Sequence, residues 1–503
     1  MSSLLTDSLR KLLFAILAFT ILVRLLTLGA YPLTDNTEAR YGEIARKMAE
    51  TGNWVTPQID YGVPFWAKPP LSMWLTAASF KAFGVSEFSA RIPSFLLLLV
   101  TGWLLYYLAM KRCGTDYALT AAVIFATTGL CFYMAGGVMT DPALAVSTTL
   151  SMVAFWQALT NNDRKGRLWG YLFFMGLAIG LLAKGPIAGV LTLFPIGVWI
   201  LWKKKWVIVW QRLPWVLGTI IMLVIAVPWY LLAESRTPGF LEYFIIGEHW
   251  KRFTENGWRG DLYGTAHLLP HGMIWLLWLP AAFPWSFVLI IQLIKMLRRR
   301  SSNLLSLHDE WIAYLLLWVI APMVFFTFAG NILITYVLPG LPAFALLMAE
   351  FRRTEMTQDS GADAAAKGRG WLYPLIELTT PIIAVLVIFL AVPHVSEKKS
   401  HKNLVARYEA LRATTASQLV YLSHRPYSAE FYSRGTAKKV GTTDETMIFF
   451  NNTEQDFFTA RGGDIEKLPQ DLRTRLEPVG EYGDYKLFRE RMKQNAIGVR
   501  TLK

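Results

Sequence analysis

Eleven apolar stretches recur along this chain, near residues 12 to 31, 91 to 110, 117 to 134, 142 to 160, 168 to 183, 186 to 202, 213 to 233, 271 to 294, 311 to 329, 332 to 349 and 372 to 392. Each approaches the roughly 20 residues that a helix needs to cross the hydrocarbon of a bilayer. With 54% hydrophobic and only 17% charged residues over 503 positions, the pattern predicts a polytopic α-helical membrane protein and excludes a soluble cytosolic enzyme. The expectation is about 11 to 13 transmembrane helices with amphipathic juxtamembrane helices. The margin comes from residues 71 to 83, apolar but short for a span, and from 130 to 160, which has room for a re-entrant pair.

Orientation follows from the short loops, because Lys and Arg collect on the cytoplasmic side. Every second connection is basic: Lys111 and Arg112; Arg164, Lys165 and Arg167; Lys203, Lys204 and Lys205; Arg298, Arg299 and Arg300; Arg352, Arg353, Lys367 and Arg369. With Arg10 and Lys11 inside, eleven crossings alternate consistently and place everything after about residue 393 outside. The excess of 14 positive charges is therefore largely a topology signal and gives no reason to expect nucleic acid as a partner. The first apolar run is long for the core of a signal peptide and leads into a charged segment, so it reads as an anchor. Cys113 and Cys131 show neither CxxC nor Cys/His spacing and point to no disulfide framework or cysteine metal site.

The division expected is a membrane domain over 1–392, with large outer loops at 32–89 and 234–270, and a small α/β domain over 393–503. In the latter, "LVYL", "AKKVG" and "TMIFF" read as short strands around a helix at Tyr427 to Tyr432. In the first outer loop, residues 39 to 49 form an amphipathic helix, and a solvated face accounts for Arg46, Lys47 and Glu50.

Positive charge on the outer side runs against topology and needs another explanation. Lys68 lies in "VPFWAKPPL", between an aromatic pair that includes Trp66 and a proline pair that stiffens the backbone. An ammonium fixed there suits a lipid-linked phosphate; interfacial snorkelling is the structural alternative. Asp35 and Glu38 in "TDNTEARY" follow the first crossing, where a carboxylate serves as general base, holds a divalent cation, or merely caps a helix. Asp141 in "GGVMTDPALA" is a second such carboxylate, with a helix cap before Pro142 as its plain reading. Lys184 in "LLAKGP" would be costly to bury without an anionic partner. "GEHWKRF" offers Glu248, His249 and Arg252, but the i, i+4 histidine spacing of a zinc helix is missing there and occurs instead between His267 and His271. A role in holding substrate is preferred for Glu248 and His249. Tyr336, with Pro339 in "ITYVLPGLPA", sits in the outer part of a late crossing, where a proline kink is the structural alternative.

The ordered set "TDNTEARYGEIARKM", "PFWAKPPL", "TDP", "EHWKRF" and "TYVLP", followed by "RPYSAEFYSRG", resembles the bacterial aminoarabinose and related lipid A glycosyltransferases, akin to the protein O-mannosyltransferases. The resemblance implies the C-type membrane glycosyltransferase fold, a sugar donor on polyprenyl phosphate, an acceptor on lipid A or another envelope glycan, and inversion at the anomeric carbon. It also implies a bacterial inner membrane with the site and the C-terminal domain on the periplasmic side. By this likeness Asp35, Glu38 and Asp141 are the candidate catalytic carboxylates. The likeness also maps Lys68 and Tyr336 on the donor phosphate; the reading of the residues themselves adds Arg40, Tyr41, Arg252 and Lys184 as candidates for the donor phosphate, and Trp66, Glu248 and His249 for substrate. The resemblance requires no cofactor, and a divalent cation stays open. Two departures matter: Thr37 stands where many relatives have Asp before Glu, so the base is Asp35 or Glu38, and Ala67 replaces a Glu before Lys-Pro-Pro, which weakens a metal site there. A protein hydroxyl as acceptor is the near alternative. Transport of a lipid-linked sugar without chemistry is the distant one, disfavoured because the charges gather at one membrane face and no inverted repeat is seen.

Overall fold

The structure, a computed structural model, describes residues 5–255, 257–264, 269–299, 307–359 and 372–491. The chain forms two compact units, one of residues 1–30 and 44–387, the other of 31–43 and 388–503.

The first unit is helical. Its early elements are α1 (Asp7–Thr27), α2 (Thr37–Thr51, the first residues of which belong to the other unit), α3 (Leu71–Phe83), α4 (Glu87–Cys113), α5 (Thr115–Thr127), α6 (Gly129–Met134), α7 (Asp141–Thr160), α8 (Arg164–Lys184), α9 (Pro186–Lys203), α10 (Trp206–Arg212) and α11 (Trp215–Arg236). The later apolar runs fold as Met273–Ala281 with Trp285–Arg299, Glu310–Phe326, Ile334–Gly340 continued by Leu341–Asp359, and Leu372–Leu386; Val387–Ala391 and Val392–Lys399 follow, from residue 388 onward in the second unit. All eleven apolar stretches are thus helical, but among the described residues only seven helices are long and apolar enough to cross a membrane. They number eight if Met273–Ala281 and Trp285–Lys295, bent by 108°, form one span. The other runs fall short for local reasons: α1 carries Arg10, Lys11 and Arg24, the run at 117–134 breaks between α5 and α6, and Glu310–Phe326 has 17 residues. No re-entrant pair forms at 130–160; the sharp bend lies at 281–285 instead.

α7 is one of the two most enclosed spans of this unit, with 83% of its apolar window buried. Within a bilayer, apolar burial between helices is weakly driven and close packing decides association. Gly176 and Gly180 of α8 provide it: an added Cβ at Gly176 would stand 2.3 Å from Ser151 Oγ, and one at Gly180 3.1 Å from Ser147 Oγ. At the other end Trp156 packs its ring 4.7 Å from Trp311 and 5.0 Å from Tyr314, centroid to centroid. Arg298, Arg299, Arg300, Lys367 and Arg369 of the basic loops lie partly outside this picture, the last three beyond the described residues.

The reading of Arg46, Lys47 and Glu50 as a solvated face is corrected. Lys47 is fully buried, donates to Ile59 O at 2.8 Å and lies 5.4 Å from the Tyr61 ring. Arg46 pairs with Glu50 at 2.6 Å and donates to Tyr61 OH at 2.9 Å. Helical periodicity shows which residues share a face; it does not show that β1 (Gln58–Asp60) and β2 (Val63–Pro64) fold back as a hairpin to cover it.

The second unit contains a five-stranded mixed sheet ordered β4-β3-β5-β7-β6, from β3 (Leu419–Leu422), β4 (Lys438–Val440), β5 (Phe457–Arg461), β6 (Leu476–Tyr482) and β7 (Tyr485–Glu490). β3 runs parallel to β4 and β5, while β7 is antiparallel to β5 and β6. "LVYL" and the middle of "AKKVG" are strands and Tyr427–Tyr432 is a helix, as expected. "TMIFF" is not a strand: it lies in the helix Thr443–Phe450, whose start is fixed by the Thr442 hydroxyl accepting from Glu445 N. Capping chemistry there overrides the β-propensity of the apolar residues.

Candidate active site

Three cations and three carboxylates converge in the first unit. Lys68 follows β2 and donates to Glu248 Oε2 at 2.8 Å and to Ala67 O at 2.7 Å. Arg252 Nη1 donates to both Glu248 oxygens, at 3.0 and 2.9 Å, and lies 3.4 Å from Asp261 Oδ2. Glu248 stands on a π-helix, Glu242–Lys251, which keeps its carboxylate inward: the side chain is 1% exposed against 19% for Lys68 and 21% for Arg252. The buried acid holds the two cations while each keeps an accessible edge. Burial opposes the charged form of Glu248, but Lys68 and Arg252 outweigh it and hold the carboxyl below the usual range.

Lys184 and Asp141 form a second pair at 2.7 Å, and the Lys184 ammonium lies 4.9 Å from the centroid of the Tyr336 ring. Asp141 is the first helical residue of α7 and Thr140 the N-cap, with no side-chain capping bond, so the capping reading of Asp141 is replaced by an ion pair. Tyr336 lies on the 3-10 turn Ile334–Gly340, where the Pro339 carbonyl accepts from Trp318 Nε1 at 2.8 Å; a tightened turn stands in place of the expected kink. Tyr336 also interacts electrostatically with Arg252.

His249 joins the two pairs. Its Nδ1 faces Phe244 O at 2.8 Å and its Nε2 faces Lys184 O at 3.2 Å, so both ring nitrogens are engaged by backbone. The contact depends on Gly185, which has φ +77° and ends α8 directly before Pro186 opens α9. A Cβ there would stand 2.6 Å from Phe244 Cζ and 3.1 Å from His249 Nε2. Burial depresses the His249 imidazole below its ordinary value, opposed by its hydrogen bonds to Phe244 O and Lys184 O.

Trp66 donates from Nε1 to Thr237 Oγ1 at 3.1 Å, and Tyr263 OH accepts from Trp66 N at 3.1 Å while donating to Pro64 O at 2.9 Å. Tyr243, Asp261 and Tyr263 are neighbours not singled out from the sequence; all come from the segment 234–270, and their only signal was an excess of aromatic and acidic residues there. His267 lies outside the described residues. Among the described residues no three His, Cys, Asp or Glu side chains cluster as metal ligands.

Asp35, Glu38, Arg40 and Tyr41 belong to the second unit. The Asp35 carboxylate accepts from Ser428 N at 3.0 Å and from the Ser428 hydroxyl, and Asp35 N donates to Lys399 O at 2.8 Å. Burial, partly offset by these bonds, pushes its carboxyl up to about 6. Glu38 is 7% exposed, and Arg40 lies over the Tyr41 ring at 5.3 Å and bonds Tyr427.

A helical bundle whose loops bring such paired charges to one end defines a class, and comparison agrees. Residues 8–244 match the family of dolichyl-phosphate-mannose-protein mannosyltransferases. The fold is that of ArnT from Cupriavidus metallidurans bound to undecaprenyl phosphate, with a TM-score of 0.74 at 19% identity over 95% of this chain and 97% of that one. A more distant likeness is the apo oligosaccharyltransferase of Archaeoglobus fulgidus, with a TM-score of 0.51 at 12% identity over 90% and 70%. The chain therefore has the C-type membrane glycosyltransferase fold.

In sequence it is similar to undecaprenyl phosphate-alpha-4-amino-4-deoxy-L-arabinose arabinosyl transferase 1 of Pseudomonas fluorescens (strain Pf0-1), 32% identical over 354 residues, 69% of this chain and 58% of that protein. The corresponding transferase of Enterobacter sp. (strain 638) is 29% identical over 384 residues, 75% and 65% of the two chains. The match spans less than two thirds of the length of either relative. The resemblance read from the motifs is borne out as a likeness: the chain is similar in sequence to the aminoarabinose transferases, and its residues 8–244 match the dolichyl-phosphate-mannose-protein mannosyltransferase family.

Proposed function

We propose that the chain is an inverting glycosyltransferase that moves aminoarabinose or a related sugar from polyprenyl phosphate to lipid A or another envelope glycan. It works at the periplasmic face of a bacterial inner membrane, with residues 393–503 as a periplasmic domain. The observation that carries the reading is the Lys68–Glu248–Arg252 cluster, in which one buried carboxylate orients two partly accessible cations. Nη2 and Nε of Arg252 are not used in the contacts to Glu248 and Asp261, which leaves donors for phosphate oxygens.

In the reaction an acceptor oxygen attacks the anomeric carbon, the bond from that carbon to the phosphate oxygen breaks, and polyprenyl phosphate departs. Asp35 or Glu38 takes the acceptor's proton, and Lys68 with Arg252 balances the charge on the leaving phosphate. Lys184 and Tyr336 extend the donor site and Trp66 bounds the substrate; Arg40 and Tyr41 are assigned to the donor by the sequence motif alone. Asp141 holds Lys184 in place. The test is purified protein with undecaprenyl-phosphate aminoarabinose and lipid A: polyprenyl phosphate should be released and lipid A should gain the mass of the sugar. Lys68→Ala, and one of Asp35→Asn and Glu38→Gln, should lower turnover at least tenfold in folded protein. Full activity in all three would overturn the assignment, as would movement of intact donor across the membrane without transfer.

A further inference from the structure

We propose that Ser428, in the C-terminal part of the chain, is a positioning residue for sugar transfer: its hydroxyl holds the Asp35 carboxylate while that carboxylate takes the acceptor's proton. This rests on the transferase reading above and settles on Asp35 as the base. The two residues are 393 positions apart, yet they share one compact unit, because residues 31–43 fold with 388–503. Asp35 N donates to Lys399 O at 2.8 Å and Leu33 N to Tyr432 OH at 2.7 Å. Gly42 permits the close approach, since a Cβ there would stand 2.9 Å from Leu33 Cδ1 and 3.5 Å from Phe431 Cε2. The motif "RPYSAEFYSRG" thus supplies Ser428, Phe431 and Tyr432 to the seat of the acidic segment.

The sense of the Ser428 hydroxyl is fixed. Its oxygen, on a fully buried residue, accepts from His401 N at 3.0 Å, so its own proton is the one given to Asp35 Oδ2. Ser428 N donates to Oδ1 at 3.0 Å, and Tyr427 N adds a further backbone bond. A carboxylate gripped at both oxygens is already oriented when the acceptor arrives, and that ordering is not demanded again in the transition state.

The grip is made by neutral donors. Lys68 and Arg252 keep Glu248 ionised, which suits a carboxylate whose work is to hold cations. Asp35 is held instead by a hydroxyl and backbone N–H groups, which fix its geometry and leave it basic enough to accept a proton. The groups that interact with it electrostatically are Tyr421 of β3, Tyr427, and Tyr485 of β7. Burial raises all three phenols above their ordinary value, so they are uncharged near neutrality, and His401, beside Ser428, is lowered to about 4. Glu38, Arg40 and Glu43 follow on α2. Neither the phenols nor the His401 imidazole changes charge as Asp35 titrates through about 6.

The test is the pH dependence of transfer by the full chain in nanodiscs, with undecaprenyl-phosphate aminoarabinose as donor and lipid A as acceptor. In the wild type the rate should rise through about pH 6. The hydroxyl's bond lowers the Asp35 carboxyl, so Ser428→Ala should move that rise upward by about one pH unit. It should also cut kcat about tenfold while both KM values stay within about twofold. Ser428→Thr, which keeps the hydroxyl, should restore the wild-type profile. Ser433→Ala is the control for folding: that hydroxyl accepts from Ala437 N at 3.1 Å and donates to Glu430 O at 3.2 Å, so its loss should lower the melting temperature and leave the profile in place. An unmoved profile in Ser428→Ala would overturn the proposal, as would an equal displacement in Ser433→Ala. Full transfer by Asp35→Asn would also overturn it while leaving the transferase reading intact with Glu38 as base; absence of sugar transfer by the wild type would remove both.

Discussion

Lys184 and Asp141 meet at 2.7 Å although 43 residues separate them, the last residue of α8 against the first of α7. A cation at a helix C-terminus and an anion at an N-terminus each complement the helix dipole, so the pair is favoured by both backbones. With side-chain exposures of 12% and 9%, removing either partner strands the other. Lys184→Met and Asp141→Asn should each cost about 3 kcal/mol, and the double variant less than their sum, in thermal unfolding of the detergent-solubilised chain. Strict additivity would show that the two charges do not depend on each other.

Glu248→Gln removes the one carboxylate shared by Lys68 and Arg252. A coupling of roughly 2 kcal/mol is expected between Glu248→Gln and Lys68→Met in a double-mutant cycle on stability. Donor affinity should change in the opposite sense to a simple gain of positive charge: it falls, because the cations lose their fixed geometry. Undecaprenyl phosphate binding measures this, and tighter binding by Glu248→Gln would refute an orienting role.

Gly185→Ala should destabilise by about 1 kcal/mol from its positive φ alone, with a further loss from the contact to Phe244. Because the same methyl presses on His249, turnover should fall in parallel with the melting temperature. Gly189→Ala, at a position where an added Cβ meets nothing within 4 Å, is the control and should be near neutral.

Two buried groups in the second unit titrate in opposed senses. The Asp35 carboxyl is raised to about 6, so its contribution to stability is complete below its ordinary value of 3.8 and disappears as pH rises through about 6. Burial, with His424 and Arg461, lowers the His401 imidazole from 6.5 to about 4, so its contribution is present above 6.5 and is lost as pH falls through about 4. Each is worth roughly 3 kcal/mol. Between these limits the slopes largely cancel in the wild type. Asp35→Asn should leave stability rising with pH and His401→Asn should leave it falling, as denaturant titrations from pH 4 to 7 will report. If Asp35 is also the base, activity rises through about pH 6 while its stabilising effect declines.

The outline of this molecule is legible in the sequence because membrane helices announce themselves by local composition. Lys68, Lys184 and Arg252 stand out for the same reason, as positive charges in connections that the alternation of basic loops reads as the outer set. Their partners are less legible. Glu248 reads as a ligand to substrate, yet its carboxylate serves two neighbouring cations, and only the π-helical register turns it inward. Asp261 and Tyr263 join the cluster from a loop with no periodicity to read. Lys47 shows the converse: its helical face is evident, but the hairpin that buries it is formed by two short strands whose pairing lies beyond local pattern.

The equal number of acids and bases around Lys68, Arg252 and Lys184 has a consequence for life in a crowded leaflet. A cluster with unopposed cations would be an adhesive for any phospholipid headgroup drifting past, and abundant lipids would win by concentration. With Glu248, Asp261 and Asp141 in place, an anion entering gains little from net charge alone. Occupancy then goes to the molecule that supplies further contacts beyond its charge, so rarity in the membrane need not be a disadvantage.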